Sequence, residues 1–339
     1  MRNQAPADVP LHAVLTRYYA QHGMHLISKD AAKRGIALWK AWWSAEDTIA
    51  DVTIGRQRAF LQWLLGRGLS EGYARRVLGV GQSAMNRAWK HGEISQVPFV
   101  ELPRMGEAYP HYASRDQMVR LLNTPMPEHI FALLLIRLTT ACRGDAAQDL
   151  QVFQLDRAAG LVRLNPPGRA QTKKYRPVVP LQPMLAAYVD QRKPEAYLVH
   201  WHGRKVASVK TTWRKLRVAA RLPAWFAPKT VRHTMATWLR QRGVPAWEVS
   251  GQLGHSVAGT TDIYAKFDPT YLGQARTAIG EILEDLARDV PRLQELRGVS
   301  VGSVVTHTTS SNSTESLLHQ GFKVVGGTGF EPVTPTMSR

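Results

Sequence analysis

The chain has 339 residues, enough for two domains with their own cores, and its 44% hydrophobic composition is that of a globular protein. A formal net charge of +18 selects a polyanionic partner, nucleic acid before an anionic membrane surface. The one cysteine, Cys142, excludes an internal disulfide and fits a reducing compartment. The apolar run Ile130–Leu138 is too short to span a bilayer and contains Arg137, and the N-terminal residues lack an apolar signal core, so a cytosolic protein is expected.

From Leu11 to Gly92 the apolar residues recur at helical spacing: Leu11, Val14, Leu15 and Tyr18, then Ile36, Trp39, Trp42 and Trp43, then Phe60, Leu61, Leu64 and Leu65. Thr53 and Ser70 are placed to cap the third and fourth helices, which gives a small bundle. Pro98, Pro103, Gly106 and Pro110 then mark an extended linker, and Ser114 opens a second domain. That domain is read as an apolar helix at about 128–141 and short strands at 152–155, 161–164 and 176–179. Helices follow at 183–190, 206–220, 230–242, 245–253, from 261 onward and near 272–289. The Ser-, Thr- and Gly-rich stretch 298–314 has no helical period and reads as a poorly ordered tail. The expected boundaries are 1–106, 107–290 and 291–339.

Charge is segregated along the chain. Between Arg157 and Val244 the acidic residues are Asp190 and Glu195 alone, against 19 Lys and Arg, which makes an electrostatic face rather than a mixed surface. Within and around this stretch lie Arg143, Lys173, Lys174, Lys229, Arg232, His255 and Tyr264. Guanidinium groups are planar, permanently charged and bidentate, and suit the two non-bridging oxygens of a phosphate. A lysine on the loop Gln171–Arg176 could protonate a leaving oxygen. Tyr264 is a weak nucleophile unless cations orient it and lower its pKa. Taken singly, each residue has an ordinary alternative: a structural salt bridge for either arginine, a solvated loop for the lysines, a core position for the tyrosine.

Taken together, the motifs Thr-Val-Arg-His-Thr (230–234), Leu-Gly-His (253–255) and Thr-Thr-Asp-Ile-Tyr (260–264) resemble the C-terminal signature of the tyrosine recombinases, or phage integrases. Thr139–Arg143 is similar to their first arginine box and Lys173–Leu181 to their lysine hairpin. The resemblance covers roughly residues 11–272. It implies a mainly α fold with a small antiparallel β-sheet, in which an N-terminal helical core-binding bundle and an α+β catalytic domain clamp DNA. It implies Tyr264 as nucleophile, Arg143 and Arg232 on the scissile phosphate, His255 in support and Lys173 as general acid, with Lys174 as its alternative because the hairpin is about one residue short. No cofactor or metal is required. The implied partners are double-stranded DNA attachment sites, a homotetramer on DNA, and accessory DNA-bending or directionality factors, in the cytoplasm of a bacterium at its nucleoid.

Two departures from the family pattern stand out. Lys229 occupies the place of the usual His, and as a poorer base near neutral pH it predicts reduced activity. Ala146 replaces the usual acidic residue, with Asp145 beside it as the stand-in. Gly329–Pro332 reads Gly-Phe-Glu-Pro, which the complement of a tRNA T-arm encodes in one frame, so a tRNA gene is the expected integration target of a phage or genomic island. The alternatives are a type IB topoisomerase-like relaxase, which shares the chemistry, and a catalytically weak DNA-binding regulator.

Overall fold

The computed structural model describes residues 8–104, 110–172, 174–190, 192–255 and 269–297. The chain divides into two compact units, residues 1–111 and 112–339.

The first unit is helical: α1 (Leu11–Gln21), α2 (Lys29–Trp42), α3 (Ile54–Gly66) and α4 (Glu71–Lys90). Thr53 and Ser70 accept hydrogen bonds from the Arg56 and Tyr73 amides, so both predicted caps form. The core is a cluster of aromatic rings, Trp39, Trp43 and Phe60, ringed by Leu11, Leu15, Leu64 and Leu78. Helices α2 and α4 approach closely because Gly81 lies under the Trp39 ring, where a Cβ would come within 2.2 Å of the indole. The Trp39 Nε1–H donates to the Val77 carbonyl at 2.8 Å, so the buried indole keeps its polar edge satisfied.

The second unit centres on α6 (Glu128–Thr140), every residue of which from His129 on is buried. Around it lie α5 (Arg115–Asn123), α7 (Gly144–Asp149), α8 (Pro183–Tyr188), α9 (Lys210–Ala219), α10 (Pro228–Gln241), α11 (Ala246–Leu253) and α12 (Gly273–Ala287). Ser114 and Gln117 form a reciprocal capping box at the start of α5. A three-stranded antiparallel sheet runs β1 (Leu155–Asp156), β2 (Leu161–Arg163), β3 (Val178–Pro180), with Val162 opposite Val179. The fold is thus mainly α with a small antiparallel sheet. No helix among the described residues is long and apolar enough to cross a membrane.

Several local features differ from the sequence reading. The strand expected at 152–155 is a 3-10 turn over Val152–Gln154 before β1. The Gln154 side chain accepts from the Gln151 amide and donates to the Arg163 carbonyl, replacing ladder bonds. The helix expected from 206 begins at Lys210, because residues 200–205 form a hairpin, β4 (His200–Trp201) and β5 (Arg204–Lys205). Its turn residues His202 and Gly203 both have positive φ, 49° and 76°, the pattern of a type I′ turn. Residues 291–297, assigned to the tail, fold onto this unit: α13 (Pro291–Gln294) buries Leu293, and Arg292 pairs with Glu128 at 2.5 Å. The tail from residue 298 lies outside the described residues.

Candidate active site

The loop that follows α6 turns sharply at Ala141, which takes the left-handed conformation (φ 53°). This releases the chain into Arg143, the N-cap residue of α7. On α10, Pro228 occupies the first turn, where its missing N–H is no loss, and the Thr230 hydroxyl accepts from the Ala227 amide at 3.0 Å. The helix therefore starts two residues before the expected Thr230. Lys229 lies in the first turn and Arg232 in the second. Helix α11 ends in Gly254 at φ 63°, a left-handed cap, and His255 follows it.

These three chain segments meet on two consecutive carbonyls. Arg232 Nη2 donates to the Leu253 oxygen at 2.8 Å, and Arg143 donates to the Gly254 oxygen at 3.2 and 3.3 Å. Arg143 Nη1 also reaches the Tyr175 carbonyl at 2.7 Å, and Arg232 Nη1 the Ala141 carbonyl at 2.9 Å. The Tyr175 bond ties the lysine loop to the arginines. Gly254 fixes the same loop from the other side, since a Cβ there would stand 2.5 Å from Pro177 Cδ and 2.8 Å from the Tyr175 oxygen. Of the five N–H donors on each guanidinium, three are engaged and about two remain for a ligand.

Arg232 Nη2 lies 3.0 Å from His255 Nε2. Arginine can only donate, so Nε2 is the acceptor and the neutral ring carries its proton on Nδ1. Burial, then Arg232, Arg143 and His233, hold the His255 pKa below its ordinary value. Burial and the adjoining Arg143 charge bring Arg232 down to about 10, still fully cationic at neutral pH. The His233 pKa is lowered by burial and then by Lys229 and Arg232. The result is a half-buried cluster of cations held by main-chain oxygens rather than by carboxylates.

Of the residues singled out from sequence, Arg143, Arg232 and His255 converge. Lys229 is exposed on the first turn of α10, and Lys174 is exposed, its amide 3.3 Å from the Thr172 hydroxyl. Tyr264 and Lys173 lie outside the described residues. Asp145 is exposed and Ala146 is buried, so the structured carboxylate of α7 is Asp149. Asp149 pairs with Arg176 at 2.7 Å and with Lys205. Burial raises its pKa, but the bonds from Lys205 and Arg176 outweigh this and the net shift is downward. The anchoring carbonyls of Ala141, Tyr175, Leu253 and Gly254 carry no side-chain signal, which is why the sequence alone does not reveal them.

Residues 112–270 match the phage integrase family. The tyrosine recombinase XerC of Oceanobacillus iheyensis is 25% identical over 247 residues, covering 67% of this chain and 80% of that protein. XerA of Thermococcus kodakarensis is 26% identical over 223 residues, covering 60% of this chain and 76% of that protein. Among solved structures, the Tn1549 transposon integrase in complex with transposon right end DNA superposes with a TM-score of 0.62 at 15% identity, over 79% of this chain and 98% of that one. A lambda integrase dimer bound to a COC′ core site gives 0.59 at 14% identity, over 77% and 78%. The protein is therefore an enzyme that cleaves and rejoins DNA strands. Its residues 112–270 form a domain of the phage integrase family.

Proposed function

We propose that this site-specific recombinase cuts and rejoins duplex DNA at attachment sites through a 3′-phosphotyrosyl intermediate on Tyr264. In this reading the Tyr264 oxygen bonds to the scissile phosphorus, the bond to the 5′-oxygen breaks, and Lys173 supplies the proton that the leaving 5′-hydroxyl takes; Lys174 is the alternative donor. Arg143 and Arg232 each direct their remaining N–H groups to the non-bridging oxygens and stabilise the added charge of the pentacoordinate transition state. His255, neutral in the free site, presents Nδ1–H to the same phosphate, and Lys229 adds a cation where the family pattern usually has His. The bond energy is conserved in the protein–DNA link, so rejoining needs no nucleotide or metal.

The observation that carries this reading is the convergence of Arg143, Arg232 and His255 on residues 253–255. Denaturing electrophoresis of the protein with DNA carrying its attachment site should reveal a covalent adduct that Tyr264→Phe abolishes. An adduct that persists in that variant sinks the assignment. We further propose four protomers on two duplexes, aided by accessory bending or directionality factors, and a phage or genomic island as the source. The coding sequence over Gly329–Pro332 would overlap a tRNA-derived crossover site. Absence of a T-arm match in the gene's own nucleotides rules out the tRNA target.

A further inference from the structure

The core of the second unit contains one residue that its own helix would not select. Arg137 lies on α6 among Leu133, Leu134, Ile136 and Leu138, and only 4% of it is exposed. Among the described residues none accepts a hydrogen bond from its guanidinium, none forms an ion pair with it, and its buried Nε is unpartnered. Its neighbours in charge are Cys142 and Asp145 from the segment after α6, and Arg232 and His233 from α10. Cys142 is kept neutral by burial, which raises its pKa, and Asp145 is exposed. The Nη1 end reaches the Arg143–Gly144 junction, 3.5 Å from where a Cβ on Gly144 would stand.

The other buried arginine among the described residues, Arg176, is neutralised: it has Asp149 at 2.7 Å. A lone buried charge is costly, and one persists where the surroundings require it. We infer that Arg137 is a positioning residue of the strand-cleavage site, a buried guanidinium without an ion pair beside Arg143 and Arg232 that strengthens the grip of the pocket on a phosphate. The inference rests on reading those two arginines as phosphate ligands. Without an anion, three guanidinium groups repel one another across a half-buried space. A phosphate bound by Arg143 and Arg232 supplies the charge that Arg137 lacks, and it does so where screening by water is weak. The third cation also supports the site where Lys229 stands in place of His.

Calorimetric titration of the full chain with inorganic phosphate at low ionic strength, beside thermal melting in phosphate-free buffer, tests this. Arg137→Met keeps the stem volume and removes the charge; it should bind phosphate about fivefold or more weakly and melt no lower than the unaltered chain. Arg137→Lys should stay within about twofold in affinity. Phosphate affinity of Arg137→Met within about threefold of the unaltered chain overturns the inference, as does an equal loss in Arg137→Lys. If Arg137→Met does not fold, Arg137→Gln takes its place, and failure of both to fold marks a structural residue and overturns the inference too. Tyr264→Phe should leave phosphate affinity intact, so failure of the nucleophile assignment would not register here. An unimpaired Arg232→Ala would strike the phosphate-ligand reading itself.

Discussion

His255 is partly buried and takes a hydrogen bond from a permanent cation, and both bear on its titration. Its folded pKa lies below the ordinary 6.5, with burial the leading cause and Arg232 next. Above that value the ring is neutral folded or unfolded, and pH has no leverage through it. As pH falls through the unfolded value the unfolded chain takes up the proton first, so stability declines until the folded pKa is reached. A downward shift at His129 and His233 acts in the same direction. The expected outcome is an NMR titration midpoint for His255 below about 6.5 in the free protein, moving upward when phosphate is added. A midpoint at or above that figure without ligand contradicts the neutral tautomer. The sequence exposed His255, Arg143 and Arg232 because each stands in a recognisable local motif. It could not expose Arg137 as anything but an interruption of an apolar run, since partnership and exposure are settled only when α6 packs.

At the scale of elements, Gln57 shows how an irregular segment is held. It is buried on α3, donates to the Val52 and Phe99 carbonyls at 2.9 and 2.8 Å, and accepts from the Glu101 amide at 2.9 Å. One side chain therefore supplies the partners that strand pairing would otherwise give to residues 99–101. Gln57→Leu removes all three bonds and leaves buried main-chain groups unmet, at a cost of about 1–3 kcal/mol. Limited proteolysis should then cut near residues 99–104 faster, with melting lowered; unchanged cleavage would mean the segment is held by other contacts. The same physics explains which elements were legible. The long helices of the first unit follow from apolar spacing and from Thr53 and Ser70 as caps. The hairpin at 200–205 escaped because His-Gly is a weak turn signal and its strands have two residues each. The turn at 152–154 escaped because a glutamine side chain displaced the ladder.

For the whole molecule, charge distribution carries the expectation. With +18 overall and 19 cations against two acids between residues 157 and 244, duplex affinity should rest on phosphate contacts. Affinity for a non-specific duplex should fall about a thousandfold or more between roughly 50 and 200 mM salt, by fluorescence anisotropy. A near-flat salt dependence would mean that the basic stretch does not face the DNA. The arginine site itself is not organised by charge. Arg143 and Arg232 are seated on the oxygens of Ala141, Tyr175, Leu253 and Gly254, groups that every amino acid possesses. Of those four positions only Tyr175 lies outside the core: Ala141 and Gly254 are pinned by left-handed turns, and Leu253 is packed in the interior. The acceptors that position the two guanidinium groups are thus backbone atoms, and what the sequence must preserve is the path of the chain that presents them.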